Sequence, residues 1–248
     1  MTSSLFLPNA SETLWNRRTE EQVAYVLDTL PGETVDDSEA VLLAAGCGTG
    51  RLLRALSDET SCRLIGFDAD HQMLAYGRRQ SDSVELFQSD LREFTVSEPV
   101  DAIICMFTAI NYLQTNADLV ATLNRFGDAL AEDGVVLVDA SNFMAHLVEG
   151  YREELTESVD HDDGRIKRHV HHDVDLLENQ WEHRETLRVF TDDELVDSHT
   201  ATHELRYFTA NEFRFAHSQS MLADREMTVS TGYDDEEDRL IYTVGVVP

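Results

Sequence analysis

The sequence predicts an α/β fold built on a doubly wound parallel sheet, and two observations support this prediction. Residues 41–50, VLLAAGCGTG, read as a buried strand, a glycine turn and the start of a helix. Apolar strand-like runs and helical patterns then alternate as far as GVVLVDAS at residues 134–141, an apolar strand typical of a sheet covered on both faces. Ligands of such sheets bind where the parallel strands end, so the candidate site residues are sought there.

Each predicted element follows from local patterns. The strands of the parallel part are residues 41–45, 62–68, 84–90, 100–107 and 134–141. An N-terminal helix is expected to begin at Ser11 as N-cap and to end near Pro31. A helix over residues 117–131 is predicted because apolar residues recur from Leu119 to Leu130 at i, i+4, i+7 and i+11.

After Gly150 the pattern changes. Residues 165–208 show three runs of strand-like alternation without a crossover helix, which predicts an inserted antiparallel meander. Thr209 and Glu212 form a predicted capping box for a helix to about residue 222. Residues 226–232 and 240–246 are expected to close the sheet as an antiparallel pair, so the sheet has seven strands and is mixed.

The charge balance is strongly acidic: 19 basic and 48 acidic residues give a net charge of −29. Such a field repels nucleic acid and anionic membrane surfaces, so neither is expected as a partner. The acids are spread along the chain and Lys167 is the one lysine, a pattern typical of proteins from salt-loving organisms. We therefore expect the fold to depend on high salt, which screens self-repulsion.

Three cysteines, Cys47, Cys62 and Cys105, are an odd number and suggest reduced thiols of a cytoplasmic protein rather than disulfides. The sequence shows neither an apolar stretch of membrane-spanning length nor a signal-like N-terminus, which also predicts a cytoplasmic location.

The glycine turn predicts a nucleoside-type cofactor. Gly46, Gly48 and Gly50 let the backbone adopt positive φ and let a ligand approach the main chain. Asp68 ends the next strand, where its carboxylate can bind a ribose diol. The spacing is G-x-G-x-G rather than the G-x-G-x-x-G of dinucleotide sites, which favours a cofactor without a pyrophosphate. Asp90, at the end of the third strand, suits the rim of an adenine.

The strings GCGTG, GFDAD and QSDL resemble the class I S-adenosylmethionine-dependent methyltransferases over about residues 40–140. The resemblance implies a Rossmann-like seven-stranded mixed sheet, mostly parallel with the last strand antiparallel, helices on both faces, and S-adenosyl-L-methionine as cofactor. Many members have an acid two positions before the first glycine. This chain has Ala44 there, so the methionyl ammonium needs another partner.

A closer resemblance covers nearly the whole chain. The strings DAIICMFTAINYL, LAEDGVVLVDASNF, EGY, DGR and TVGVVP are similar to the amino-sugar N,N-dimethyltransferases that act on nucleotide-linked deoxysugars. That family has aromatic residues after the fifth strand where this chain has Ser141, Asn142 and Phe143, so sugar specificity is not carried over.

The resemblances and the turn together imply a set of cofactor-binding residues. These are Arg18, Gly46, Cys47, Gly48, Gly50, Asp68, Ala69, Met73, Asp90, Leu91 and Met106. Arg18 would pair with the methionyl carboxylate, and a solvated arginine is the alternative. Met73 would pack on the adenine, with a core methionine as the alternative.

Methyl transfer to an amine needs alignment in a dry pocket and an acceptor for the amine proton. The candidate bases lie in the meander and are His169, His171, His172, His183 and His203. His203 ranks first because it coincides with a histidine of the amino-sugar family, and Tyr112 is second. Strand alternation places His169 and His171 on one face and His172 on the other. Asn142, Tyr151 and His172 are expected in the substrate pocket.

Several alternatives stay open. The acceptor could be a hydroxyl or carboxylate, the protein could be a nicotinamide-dependent oxidoreductase, or it could bind a cofactor without catalysis. The H-x-H-H run could hold a metal or form a solvated edge; no metal is expected, because paired cysteines or further carboxylates at ligand spacing are missing from it. Cys47 as a nucleophile lacks a base in the sequence around it.

We expect one domain over residues 1–248. Its parts are an N-terminal helical cap (1–32), a cofactor-binding core (33–148), an antiparallel substrate lid (150–208) and a closing helix with a strand pair (209–248). The expected partner is a small-molecule substrate, and a homodimer is left open beside a monomer.

Overall fold

A computed structural model describes residues 6–142, 153–161, 164–232 and 239–245. Its centre is a seven-stranded sheet in the order β10-β11-β5-β4-β1-β2-β3. The strands, numbered in chain order, are β1 (Val41–Ala45), β2 (Arg63–Asp68), β3 (Glu85–Gln88), β4 (Val100–Cys105), β5 (Leu130–Ser141), β10 (Met227–Thr231) and β11 (Arg239–Val244). The first five run parallel, whereas β11 is antiparallel to β5 and β10 antiparallel to β11. The predicted fold class is confirmed.

Helices cover both faces of this sheet. They are α1 (Phe6–Trp15), α2 (Thr19–Thr29), α3 (Gly32–Val35), α4 (Arg51–Leu56), α5 (His71–Gln80), α6 (Asn116–Ala129) and α7 (Ala210–Ser218), with 3-10 turns at Asn16–Arg18 and Ala109–Tyr112. Alternate residues of each buried strand point to opposite faces, so β1 contributes Leu43 to one core with α6 and Leu42 to another with α4. Among the described residues, no helix is long and apolar enough to cross a bilayer.

The inserted meander is a separate four-stranded antiparallel sheet in the order β6-β7-β8-β9. Its strands are β6 (Glu154–His161), β7 (Gly164–Asp175), β8 (Gln180–Thr191) and β9 (Glu194–Arg206). The sequence predicts only the last three, because β6, ELTESVDH, is mostly polar and its two apolar residues, Leu155 and Val159, do not form the alternation that marks a strand. A small apolar cluster joins this sheet to α1 through Ala10, Leu14, Ile166 and Leu187.

Several predicted boundaries are wrong. The single N-terminal helix is interrupted by the 3-10 turn, and Ser11 lies inside α1 rather than at its N-cap. The helix predicted over 117–131 starts earlier, because Thr115 and Asp118 form a capping box before it, and it ends at Ala129. The capping box of Thr209 and Glu212 is confirmed, but α7 ends at Ser218, short of residue 222.

Candidate functional site

A cavity of about 990 Å³ lies between the carboxyl ends of the parallel strands and one face of the four-stranded sheet. That volume lies within the range of small-molecule and cofactor pockets. Fourteen of the residues predicted from the sequence line it: Arg18, Gly46, Cys47, Gly48, Asp68, Ala69, Met73, Asp90, Leu91, Met106, Tyr112, His172, His183 and His203. The chain thus brings the predicted cofactor residues, except Gly50, and the two leading candidate proton acceptors to one cavity.

Three residues of the predicted cofactor site and substrate pocket are not placed in that lining. Gly50 packs instead beneath the turn, where an added Cβ would lie 3.2 Å from the Leu86 side chain. Asn142 is the first residue after β5, whose last residue, Ser141, does line the cavity. Tyr151 lies outside the described residues.

The glycine turn has the conformation that its sequence predicts. Gly46, Gly48 and Gly50 have φ values of 68°, 58° and 73°, a left-handed region that side chains with a Cβ disfavour. A Cβ on Gly46 would lie 2.5 Å from the Ala109 Cβ, whereas a Cβ on Gly48 would meet nothing within 4 Å. The backbone at Gly48 therefore faces open cavity that a ligand can enter.

Asp68 joins the end of β2 to this turn. Its Oδ2 accepts a 2.7 Å hydrogen bond from the Gly48 N–H, and its Oδ1 accepts one of 2.8 Å from the Asp70 N–H. Burial raises the pKa of Asp68, while the Asp70 and Gly48 N–H groups act in the opposite direction. Each carboxylate oxygen has a second lone pair, so the side chain can still accept hydrogen bonds from a ligand.

Asp90 is held by a bidentate arginine. Arg92 Nε lies 2.7 Å from Asp90 Oδ1 and Arg92 Nη2 lies 2.8 Å from Oδ2. These hydrogen bonds from Arg92 lower the pKa of Asp90, so the carboxylate stays ionised and fixed in place. Arg92 was not anticipated from the sequence as part of this site.

The loop after β4 has unusual backbone geometry at the cavity wall. Phe107 and Thr108 have φ values of 59° and 63°, which are rare for residues other than glycine. Asp139, fully buried at the end of β5, accepts a 2.7 Å hydrogen bond from the Thr108 N–H. This contact supports the strained loop and explains why an acid occupies that strand end.

The N-terminal helix closes over the glycine turn. Glu12 accepts a 2.8 Å hydrogen bond from the Thr49 hydroxyl and forms an ion pair with Arg54. Beyond it, the Trp15 ring meets the Phe107 ring edge to face at 4.8 Å. These contacts enclose one side of the cavity.

Tyr112 and His203, the two predicted proton acceptors, contact each other. The Tyr112 hydroxyl lies 2.9 Å from His203 Nδ1 although the residues are 91 positions apart. Desolvation raises the pKa of Tyr112 to about 12, so its hydroxyl stays protonated at neutral pH. Desolvation also lowers the pKa of His203, which therefore stays an uncharged imidazole to a lower pH than an ordinary histidine.

This pair is positioned by Asn111, which is fully buried next to Tyr112. Its amide nitrogen donates to the Arg206 carbonyl at 2.8 Å, and its amide oxygen accepts from the Ser141 N–H at 3.0 Å. Asn111 therefore ties the loop after β4 to the ends of β5 and β9.

The side of the four-stranded sheet that lines the cavity is called here its cavity face. Its residues are Leu155, Glu157, Arg168, His172, Trp181, His183, Glu185, His203 and Leu205. His172 is on this face, whereas His169 and His171 contact Thr156 and Glu154 on the other side, as strand alternation predicts. Among the described residues, no group of three or more His, Cys, Asp or Glu side chains is arranged for a metal ion.

Sequence reasoning missed the charged residues of the cavity face. Arg168 is 6% exposed, forms an ion pair with Glu185, and places its Nη1 3.3 Å from Glu157 Oε2. Its guanidinium carbon lies 4.9 Å from the centre of the Trp15 ring. Alternation along β7 and β8 places Arg168 and Glu185 on the same face as His172 and His183. It does not predict that Arg168 and Glu185 pair with each other.

The thiols show no sign of nucleophilic activation. Cys47, Cys62 and Cys105 are all unbridged. Burial raises the pKa of Cys47, with the nearby Asp68 carboxylate acting in the same direction, so its thiolate is disfavoured. The small side chain of Cys47 simply fits the turn.

A comparison with protein-family models supports the resemblance predicted from the sequence. Residues 42–134 match the family model described as a methyltransferase domain. This matched segment, called here the methyltransferase domain after the description of the model, contains the glycine turn, Asp68, Asp90 and Tyr112, and the resemblance predicted from the sequence is confirmed.

Two curated relatives are also similar to this chain. A dTDP-3-amino-3,6-dideoxy-alpha-D-glucopyranose N,N-dimethyltransferase of Streptomyces fradiae is 37% identical over 45% of this chain and 44% of its own. A dTDP-3-amino-3,4,6-trideoxy-alpha-D-glucopyranose N,N-dimethyltransferase of Streptomyces venezuelae is 30% identical over 54% of each chain. The chain spans about half the length of these relatives.

A solved structure shares the fold more widely. The SAM-bound amino pentose methyltransferase of Micromonospora echinaspora from calicheamicin biosynthesis matches with a TM-score of 0.71 at 22% identity, over 92% of this chain and 91% of that one. The architecture that surrounds the methyltransferase domain therefore recurs in this neighbour.

Replacing Gly46 or Gly48 by alanine separates the cost of backbone strain from the cost of a steric clash. Gly48→Ala should lower the free energy of unfolding by about 1–2 kcal/mol, because the left-handed φ is disfavoured but the new Cβ meets open space. Gly46→Ala should lower it by about 2–5 kcal/mol, because the Cβ also collides with Ala109. Denaturant unfolding of both variants measures the difference. Equal destabilisation would contradict the open space described at Gly48.

Proposed function

We propose that the protein is an S-adenosyl-L-methionine-dependent methyltransferase that acts on an amine nitrogen of a small molecule. The observation that supports this most directly is the single cavity that joins the Gly48–Asp68 turn to the Tyr112–His203 pair. One end offers backbone and carboxylate groups for a nucleoside, and the other offers an uncharged base.

The residues of the turn fit this cofactor. Open space above Gly48 admits a ligand against the backbone, and Asp68 has lone pairs for a ribose diol. We assign the cofactor site to Gly46, Cys47, Gly48, Asp68, Ala69, Met73, Asp90, Leu91 and Met106, with Arg18 for the methionyl carboxylate. The alternating glycine spacing, without a third spacer residue, supports this cofactor over a nicotinamide dinucleotide.

When bound, the cofactor supplies a sulfonium methyl group that the amine lone pair can attack, with the sulfur–carbon bond pair remaining on sulfur. The protein's part is alignment, exclusion of water and removal of the amine proton. His203 can take that proton on Nε2 in the uncharged tautomer whose Nδ1–H donates to the Tyr112 oxygen, and this hydrogen bond fixes the orientation of the ring. The edge-to-face contact of the Trp15 and Phe107 rings helps to exclude water.

The lining of the cavity is close to charge balance, so it repels a substrate with negative charge much less than the rest of the protein does. Five arginines line it, Arg18, Arg51, Arg92, Arg168 and Arg239, against six acids, Glu12, Asp68, Asp70, Asp90, Glu157 and Glu185. The whole chain has 19 basic and 48 acidic residues, so the lining is far closer to balance than the rest of the protein. A nucleotide-linked amino sugar, the substrate class in the names of the relatives, is the acceptor we propose.

We further infer that the four-stranded sheet serves as a substrate cover within one domain, since its cavity face opposes the glycine turn. A cytoplasmic location agrees with the three unbridged thiols. The net charge favours a small molecule over nucleic acid or an anionic membrane as partner.

The test is product analysis with purified protein in high salt. The protein is incubated with S-adenosylmethionine and with dTDP-linked 3-amino and 4-amino deoxysugars, together with matched sugars that carry a hydroxyl in place of the amine. We expect S-adenosylhomocysteine and products heavier by one and two methyl groups from the amines only. Methylation of the hydroxyl sugars alone would overturn the nitrogen assignment, and cofactor binding without any product would indicate a binding module.

Asp68→Ala should weaken binding of S-adenosylhomocysteine by about 100-fold or more, because hydrogen bonds from a ligand to a carboxylate contribute about 1.5–3 kcal/mol each. Isothermal titration calorimetry measures this affinity. The exposed Asp82→Ala is the matched control and should bind as the unaltered protein does. Unchanged affinity in a folded Asp68→Ala protein would remove Asp68 from the cofactor site.

His203→Ala should slow methyl transfer by about 100-fold, the usual contribution of a general base. Since the pKa of His203 is lowered, the unaltered enzyme should lose kcat/KM only as pH falls below about 6.5, the ordinary histidine value. The variant should lack this acidic limb. His169→Ala, on the opposite face of β7, is the control and should retain it. An identical pH profile in the His203 variant would exclude the role.

A further inference from the structure

Three imidazoles form a row across the cavity face of the four-stranded sheet. His172 lies directly opposite His183 on the neighbouring strand, and His183 lies directly opposite His203. Next to this row is the buried ion pair between Arg168 and Glu185. The proposed reaction uses only His203 of these groups, so the ion pair has no assigned role in it.

Arg168 contacts several neighbouring side chains in the cavity wall. Its side chain is paired with Glu185 and Glu157, and its guanidinium lies over the Trp15 ring. Its Nη2 also lies 3.3 Å from His183 Nε2. A buried arginine with so many contacts is a fixed positive charge in the wall of the cavity.

This charge determines the form of His183. A guanidinium can only donate, so His183 Nε2 must be unprotonated and its Nδ1 must carry the hydrogen. That Nδ1 lies 2.9 Å from His172 Nε2, which then accepts. Burial, followed by the charge of Arg168, lowers the pKa of His183 to about 3. His183 is therefore a neutral spacer and cannot receive a proton from its neighbours.

Both members of the ion pair affect the pKa of His203. Glu185 is opposite Ala201, two residues along β9, and therefore lies diagonally beside His203 on the same face. Burial is the main influence that lowers the pKa of His203; Glu185 raises it, and Arg168 lowers it. The other groups around it are Tyr112 on its Nδ1 and the His183 ring at 5.9 Å.

Few other charged groups lie near the His203 imidazole. Beyond the ion pair, Glu157 of β6 contacts Arg168 and His172 of β7 contacts His183. Asp68 and Asp70, from the end of β2, act on the partner Tyr112. Arg168 and Glu185 are thus the two charged groups of the cavity face that act on His203 itself, and they act with opposite sign.

We propose that the Arg168–Glu185 ion pair is a positioning pair that sets the balance between the uncharged and protonated forms of His203. This inference rests on the proposed function, in which His203 must be uncharged to accept the amine proton. Arg168 favours the uncharged imidazole, and Glu185 limits that effect. The two together therefore set the pH at which His203 is half protonated, called here its midpoint.

The test uses two variants with opposite expected effects. Arg168→Gln removes the positive charge and should move the His203 midpoint to higher pH by about one unit. Glu185→Gln removes the negative charge and should move it to lower pH by a similar amount. The midpoint is measured by NMR titration of the imidazole Cε1–H signal in protein without cofactor, with His203→Asn used to assign the signal. The acidic limb of kcat/KM should move in the same two directions.

Two controls separate charge from structure. Arg168→Lys keeps the charge and should leave the midpoint near its original value. Arg184→Gln removes an exposed arginine that pairs with Glu182 beside His183 and should leave it unchanged. If Arg168→Gln does not fold, Glu185→Gln alone decides: a lower midpoint supports the inference and an unchanged one overturns it.

Shifts in the same direction for both glutamine variants would mean that breaking the ion pair merely disturbs the sheet, and would overturn the inference. The NMR measurement does not depend on turnover. Opposite NMR shifts in a protein that methylates none of the tested amines would therefore support the ion pair's effect on His203 while refuting the proposed reaction. Methylation of the amines with unchanged NMR midpoints would support the proposed reaction and refute the effect of the ion pair on His203.

Discussion

The hydrogen bond from the Gly48 N–H to the Asp68 carboxylate is the constraint on which the site depends. It joins the turn after β1 to the end of β2, two strands that pair in parallel along their whole length. A second bond from the Asp70 N–H fixes the other oxygen, so the carboxylate plane and the turn are set together. The cavity is open at Gly48 because the turn curls around this acid and leaves the cavity side of its backbone uncovered.

The rest of the site is assembled by elements that converge on this edge. Asp139 holds the left-handed loop after β4, and Asn111 ties that loop to β5 and β9. The end of β9 is therefore fixed to the parallel sheet, which brings His203 to Tyr112. Glu12 and Trp15 close the side that faces α1. The polar face of the four-stranded sheet can hold charge inside the protein because Arg168, Glu157 and Glu185 satisfy one another.

Much of the parallel part could be predicted, because its signals are local. The apolar run of β1, the glycine spacing and the position of Asp68 are each properties of a few neighbouring residues, and they locate the cofactor edge. Strand alternation likewise separates His172 from His169 and His171. Ser11 misled because a good N-cap residue can also lie inside a helix, and β6 was missed because polar strands lack the apolar alternation that identifies them.

The contacts between distant segments could not be predicted. The pairing of Tyr112 with His203, and that of Arg168 with Glu185, depends on strand register and on how the two sheets meet. The left-handed φ of Phe107 and Thr108 is not encoded by glycine and is imposed by tertiary contacts such as that of Asp139. Where the sequence predicts a residue's face but not its neighbour, the chemistry stays open until the fold is known.

The contrast between a charge-balanced cavity and a protein of net charge −29 has a kinetic consequence. For most enzymes with charged substrates, added salt slows diffusional encounter because it screens attraction. Here an anion would first meet long-range repulsion, which weakens inside the cavity because the charges of the lining are close to balance. Salt shortens the range of that repulsion to about 8–10 Å or less, so it would hasten the encounter and leave the contacts within the cavity largely intact.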